Sequence, residues 1–147
     1  MTLTGKCRCS AVNYTLDTDA ALAVYACHCQ HCQTWSGSSF ALHALVPADA
    51  LSLVGPVTHY AYDTDSQHAD HVVCSQCHTR LYNTTSAAPG LRVLRVGTLD
   101  NSPALQPVAH IWVKHKQPWL SLPDTIASWP ESPTPQQFAE ALSASGR

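Results

Sequence analysis

Apolar and polar positions alternate along much of the chain with a period of two, in runs too short for helices. Residues 12–16 (Val-Asn-Tyr-Thr-Leu) put apolar side chains at 12, 14 and 16 with polar ones between, as a half-buried strand does. Runs at 22–25, 40–46, 51–54, 57–62, 71–74, 80–83, 91–96 and 110–113 predict further strands, with Pro47, Gly55 and Pro56 as breaks. Short strands at this spacing, with few helical stretches, predict a mainly β fold. The tail reads differently. Pro118, Pro123, Pro130, Pro133 and Pro135 predict an irregular segment over 116–135. Thr134-Pro135 then reads as an N-cap followed by proline at the first helical position. Phe138 and Leu142, four apart, give one apolar face to a short helix of about two turns ending near Gly146. The expected organisation is a β domain over 1–124 and, over 125–147, a proline-rich tail with a short helix packed on it.

Composition narrows the function classes. The 147 residues are 45% hydrophobic and 12% charged, about half the usual ~25% charged, which argues against intrinsic disorder. Eight Lys+Arg against ten Asp+Glu give a net charge of −2. That leaves no basic footprint for nucleic acid or an anionic membrane. The longest uncharged apolar run, 20–27, is far below the ~20 residues that span a bilayer, and the first seven residues lack a signal-peptide core. A soluble protein of a reducing compartment, the cytoplasm, is expected. Clustered cysteines in such a compartment bind metal more often than they pair as disulfides.

The seven cysteines fall in three groups: Cys7-Arg-Cys9, Cys27-His-Cys29-Gln-His-Cys32 and Cys74-Ser-Gln-Cys77. Two cysteines separated by two residues at a tight turn aim both sulfurs at one ion. Four thiolates close a structural zinc site, and three leave a position open for water or substrate. Seven divides as four plus three. Six residues hold Cys27, Cys29 and Cys32, so these form one compact group. The pairs Cys7/Cys9 and Cys74/Cys77 would then meet in space, tying the two ends of the β domain together. One zinc with three leftover buried cysteines, purely structural metal at both sites, and a redox dithiol at Cys29/Cys32 are the alternatives. The last needs a βαβ setting that the pattern lacks.

Further motifs extend the pattern. Gly5-Lys-Cys7-Arg-Cys9, Cys27-His-Cys29-x-x-Cys32, Ser36-Gly-Ser38, Cys74-x-x-Cys77, Gly97-Thr-Leu-Asp100, Pro107-x-x-His110-Ile-Trp112 and Pro118-Trp119…Asp124 occur in that order. This series resembles the glutathione-dependent formaldehyde-activating enzyme family, also called the GFA or CENP-V type, over residues 5–124. The resemblance implies the Mss4-like fold, with short antiparallel sheets organised around zinc, and two zinc ions per chain. It places a structural zinc on Cys7, Cys9, Cys74 and Cys77 and a catalytic zinc on Cys27, Cys29 and Cys32. Ser10 and His78 stand where family members often carry glycine, at points where a metal knuckle turns through positive φ. Gln33-Thr34-Trp35 stands where many members have a basic residue.

The activity implied is that of a carbon–sulfur lyase resembling S-(hydroxymethyl)glutathione synthase. A three-thiolate zinc carries one net negative charge and is a poor Lewis acid. It can instead take a substrate thiolate and hold it beside a carbonyl carbon. The expected partners are a small-molecule thiol, glutathione or similar, and an aldehyde. Nucleic acid and membrane are not expected, and a homo-oligomer is left open. His28, Trp35 and His110 are the candidate substrate-binding residues, and His31 is a further candidate to orient water or replace a ligand. Trp112 and Trp119 are candidate pocket walls, with a core role as the simpler reading. The rival readings are the same fold acting on a different thiol or small electrophile, and a zinc-stabilised binding module without catalysis.

Overall fold

A computed structural model describes residues 1–144. In chain order its strands are β1 (Thr2–Lys6), β2 (Asn13–Asp17), β3 (Val24–Cys27), β4 (Ala41–Pro47), β5 (Leu51–Val54) and β6 (Val57–Asp63). There follow β7 (His68–Cys74), β8 (Arg80–Thr85), β9 (Leu91–Arg95), β10 (Pro107–Ile111) and β11 (Ala127–Ser128). Helix α1 (Gln30–Ser36) lies between β3 and β4, and α2 (Pro135–Ala144) closes the described chain. The fold is mainly β, as the alternation predicts. The chain forms two compact units: Met1–Ala20 with Ala44–Ala104, and Ala21–His43 with the chain from Leu105 onward.

In the first unit, β2 lies between β1 and β5, antiparallel to both, with Leu16 opposite Leu3 and Leu51. Its alternation is visible in burial: Tyr14 and Leu16 are inside, and Asn13, Thr15 and Asp17 face water. β6 to β9 form an antiparallel meander in sequence order. Val72, Leu81 and Leu94 from this meander are fully buried, as are Val96 just after it, Val12 and Leu16. Gly5 is needed where it stands. A Cβ there would lie 2.2 Å from the Tyr14 ring and 2.6 Å from the Thr98 carbonyl, whereas the bare backbone lets Tyr14 reach Thr98 for a 2.7 Å hydrogen bond between hydroxyls. β6 differs from its neighbours: six of its seven residues are exposed.

In the second unit, β3 is buried along its whole length. It lies between β10 and the first residues of β4. β10 runs parallel to β3, with Ile111 beside Cys27, and β11 runs parallel to β10. The pairing in this unit is therefore mixed rather than wholly antiparallel. β11 is two residues of order within the otherwise irregular proline-rich segment. The Thr134 hydroxyl accepts from the Gln137 N–H at 3.1 Å, and the Gln137 side chain accepts from the Thr134 N–H at 2.9 Å. This is a reciprocal capping box, with Pro135 opening the helix. Phe138 meets Tyr25 edge to face at 4.8 Å, so the predicted apolar face docks on β3. The predicted end of α2 near Gly146 lies outside the described residues.

Two candidate metal centres

The first centre is built by two turns of the first unit. Cys7 follows β1 and Cys74 ends β7. Each turn closes on itself: the Ser10 N–H donates to the Cys7 carbonyl at 3.1 Å, and the His78 N–H to the Cys74 carbonyl at 2.9 Å. Both turns end in a left-handed residue, Ser10 at φ 67° and His78 at φ 62°. These are the two positions where the sequence put non-glycine residues at a positive-φ point. The strain at each is modest, and the turn hydrogen bonds hold it.

The four sulfurs of Cys7, Cys9, Cys74 and Cys77 lie within 4.8 Å of one another. Cys7 and Cys9 are 3.6 Å apart, and Cys9 and Cys74 3.8 Å. A tetrahedral zinc with Zn–S of ~2.3 Å has sulfurs ~3.8 Å apart, so this donor set fits the ion. Backbone N–H groups already point at the sulfurs, from Val12 to Cys7 at 3.3 Å and from Gln76 to Cys74 at 3.4 Å. Thr79, which sequence reasoning missed, links the two turns. Its hydroxyl accepts from the Arg8 N–H at 3.1 Å and donates to the Cys77 sulfur at 3.1 Å. That donation, joined by backbone N–H groups of Thr79 and Cys9, brings the Cys77 thiol down to about 5. This favours the thiolate at Cys77, one of the four sulfurs that a metal would need ionised.

The second centre lies in the second unit. Cys27 is the buried last residue of β3, Cys29 is the N-cap of α1, and Cys32 sits in its first turn. The three sulfurs lie within 4.8 Å of one another, and among the described residues no fourth ligating side chain joins them. The segment 27–32 runs from the end of β3 into the first turn of α1. Its cap is the Cys29 sulfur, which accepts from the Cys32 N–H at 3.3 Å. The helix ends at Gly37, left-handed at φ 65°, whose N–H reaches the Gln33 carbonyl at 2.9 Å. Ser36-Gly37-Ser38 is therefore a helix terminus. The sulfurs polarise one another. Hydrogen bonds from Cys27 and Cys32 carry the Cys29 thiol down to about 2, and the same contacts push Cys27 up. Three thiols this close ionise together only with a cation among them.

Gln33 fastens this centre. Its side-chain N–H₂ donates to the His28 and His115 carbonyls, both at 2.8 Å, and its oxygen accepts from the Gln117 amide at 2.7 Å. An Arg or Lys at this place has no acceptor to offer Gln117. The local sequence carries no signal of the clamp, because two of its three partners lie 82 and 84 residues away.

The candidate substrate residues are placed as follows. His28 is fully buried and His110 is 4% exposed. They bond to each other, His28 Nε2 to His110 Nδ1 at 2.9 Å, and His28 also packs against Phe40 at 5.1 Å. Burial, then the neighbouring His110 and Lys116, hold His28 down to about 4, and burial lowers His110 as well. Neither histidine joins the sulfur cluster. Trp35 is half-buried and lies one helical turn from His31, their rings 5.9 Å apart. Trp112 adopts φ 60° and donates to Ser132 at 3.0 Å. Trp119 is 71% exposed. Near the Lys116 turn, Val113, Lys116, Leu120, Asp124 and Ser128 line a cavity of about 590 Å³. No helix among the described residues is long and apolar enough to cross a membrane.

Comparison with known proteins agrees with this architecture. The family model for the glutathione-dependent formaldehyde-activating enzyme matches residues 2–115, a stretch that contains all seven cysteines. A crystal structure of a Rhodobacter sphaeroides protein superposes with a TM-score of 0.56 at 21% identity. The match covers 71% of this chain and 91% of that one. At that identity the likeness speaks for the fold alone.

Proposed function

Because the chain belongs to the glutathione-dependent formaldehyde-activating enzyme family, we propose that it is a zinc-dependent carbon–sulfur lyase acting on a small thiol and an aldehyde. The observation that carries the reading is the contrast between the two centres. One offers four sulfurs and the other three, with no further ligating side chain among the described residues. In this reading Cys7, Cys9, Cys74 and Cys77 hold a structural zinc, and Cys27, Cys29 and Cys32 hold the working one, for two per chain. A zinc bound by three cysteines supplies a place for the thiol substrate as a thiolate, ionised at neutral pH.

The chain's own residues do the rest. In the addition direction the sulfur forms a bond to the aldehyde carbon, the S–H bond is broken, and the proton ends on the aldehyde oxygen as a hydroxyl. Reversing these changes gives the lyase direction. Such a step needs mainly proximity and proton transfer. Gln33 fixes the cysteine turn through the His28 carbonyl. His28, within that turn, and His110 are buried, neutral and bonded to each other, and they hold the turn against the core at Phe40. Trp35, half-buried on α1, is assigned to the substrate side.

Cobalt substitution tests the reading. Adding thiol should change the thiolate-to-cobalt absorption of the three-cysteine centre, and formaldehyde with the effective thiol should give the hemithioacetal. A protein with both centres loaded whose band no thiol moves, glutathione included, would be a zinc-stabilised binding module instead.

A further inference from the structure

β6 is a long strand with one side unpaired. Its seven residues pair continuously with β7, from Val57 opposite Cys74 to Asp63 opposite His68, without a bulge. The turn fixes which backbone groups are used. The Thr64 N–H donates to the Gln67 carbonyl at 2.8 Å, so alternation makes Thr58, Tyr60 and Tyr62 the residues bonded to β7. Val57, His59, Ala61 and Asp63 turn their N–H and C=O groups outward, and among the described residues no strand lies on that side. The devices that blunt an edge are missing. Residues 57–63 contain no proline, lysine or arginine, and Asp63 is their one carboxylate. The other first-unit edges are short or met: β5 has four residues, and β1 is met by Leu99 and by the Asp100 N–H.

We propose that β6 pairs antiparallel with β6 of a second copy of this chain, about a two-fold axis at Ala61. The side chains select both occupant and register. With Ala61 facing Ala61 of the second copy, His59 stands opposite Asp63 of that copy, and Tyr60 opposite its Tyr62. By symmetry each contact occurs twice. His59 uses Nδ1 for Asp70 at 2.9 Å and Asp63 uses Oδ1 for His68, which leaves His59 Nε2 to meet the other carboxylate oxygen of the incoming Asp63. Tyr60 and Tyr62 are each 37% exposed, and aromatic pairs across strands are stabilising. The three outward residues 59, 61 and 63 then make three hydrogen-bonded pairs of two bonds each. Other two-fold registers lose this match. Centring on Tyr60 faces His59 with Ala61 and Val57 with Asp63. Centring on Tyr62 faces Ala61 with Asp63. Centring on His59 or on Asp63 sets like groups against each other. The strand is self-complementary in one register only.

Sedimentation of the zinc-loaded full chain over a dilution series should show a monomer–dimer equilibrium. Ala61→Pro removes the two outward donors on the axis, and an edge strand tolerates proline where its N–H faces out. It should raise the dissociation constant by roughly tenfold to a hundredfold while far-UV circular dichroism and zinc content stay as in the wild type. Asp63→Lys leaves the backbone intact, places a cation opposite His59, and should weaken the dimer in the same direction. Benzoylphenylalanine in place of Tyr62 should cross-link to residues 58–62 of the second copy. A wild type that is monomeric at every concentration overturns the proposal. So does a dimer that Asp63→Lys leaves unchanged, or a cross-link that maps elsewhere.

Discussion

His28 Nε2 and His110 Nδ1 lie 2.9 Å apart in a buried setting, and each supplies what the other lacks. Two neutral imidazoles bond only if one nitrogen donates and the other accepts, so the tautomer of one ring dictates that of the other. Burial favours that neutral state, since both rings are held below the ordinary histidine range. His110→Ala leaves His28 Nε2 buried without a partner, which costs about 1–3 kcal/mol in addition to the lost packing. His110→Asn keeps a polar atom near Nδ1 and should recover part of the loss. Denaturant midpoints at unchanged slope would measure both. Equal losses in the two variants would mean that the ring's volume matters and the hydrogen bond does not.

The Gln33 clamp predicts an unusual order of severity. Gln33→Ala leaves the His28 and His115 carbonyls without their donor and Gln117 without its acceptor, a loss of about 1–3 kcal/mol. Gln33→Glu is nearly isosteric, yet it sets a carboxylate oxygen against two carbonyl oxygens. Glu should therefore be worse than Ala, and both should speed the release of metal from the three-cysteine centre to a chelator. If Glu is tolerated better than Ala, the side chain is not the donor that its geometry indicates.

Much of this arrangement is legible in the sequence where the signal is local. The alternation at 12–16 gives β2 within a residue, and Thr134-Pro135 marks the start of α2 because a capping box is a short-range device. The division of the cysteines into four and three follows from spacing alone, and the sulfurs group that way. What depends on distant partners is not legible. Helix α1 has no fully buried residue and no apolar stripe. It stands on its Cys29 and Gly37 caps and on the bonds of Gln33, so periodicity has nothing to report. The parallel pairing of β3 with β10, the His28–His110 bond and the Arg8–Thr79 link each join residues at least 71 positions apart. β1 is missed for a simpler reason: Thr2–Lys6 has one large apolar side chain, Leu3.

The two centres should respond differently to loss of one ligand. Cys74 is fully buried and lies 65 residues from Cys9 in the chain, so its site cross-links distant parts of the first unit. Structural zinc in small peptides is worth ~10–16 kcal/mol, comparable to a domain's total stability of ~5–15 kcal/mol. Cys74→Ser should therefore leave the protein unfolded or insoluble. Cys29→Ser acts on a group spanning six residues, and serine remains a helix N-cap. That variant should stay folded, with zinc falling from about two per chain to about one and carbon–sulfur activity lost. Metal analysis and thermal unfolding of both variants decide the matter. A folded, inactive Cys74→Ser beside an unfolded Cys29→Ser would reverse the two assignments.

Acid sensitivity should be traceable in part to His71, which lies outside both centres. The ring is 2% exposed, its Nδ1 meets Arg80 Nη2 at 2.7 Å, and Tyr60 stacks on it at 5.0 Å. Arg80 donates, so Nδ1 accepts and the ring is neutral. Burial first, then Arg80 and Arg95, hold His71 down to about 4, against a smaller opposing pull from Asp70. In the unfolded chain the ring titrates near ~6.5. Above that value neither state binds the proton and His71 makes no difference to the pH dependence. As the pH falls from 6.5 to 4 the unfolded state takes up a proton that the folded state refuses, and stability drops by up to about 3 kcal/mol. Below 4 the folded state binds it too and the loss levels off. His71→Gln keeps an acceptor for Arg80 but cannot titrate. The stability difference between wild type and His71→Gln should be constant above pH 7 and shift toward the variant between 6.5 and 4. Contributions from the cysteines and from His28 cancel in that difference. Parallel curves across this window would show that His71 takes up its proton as readily in the fold as out of it.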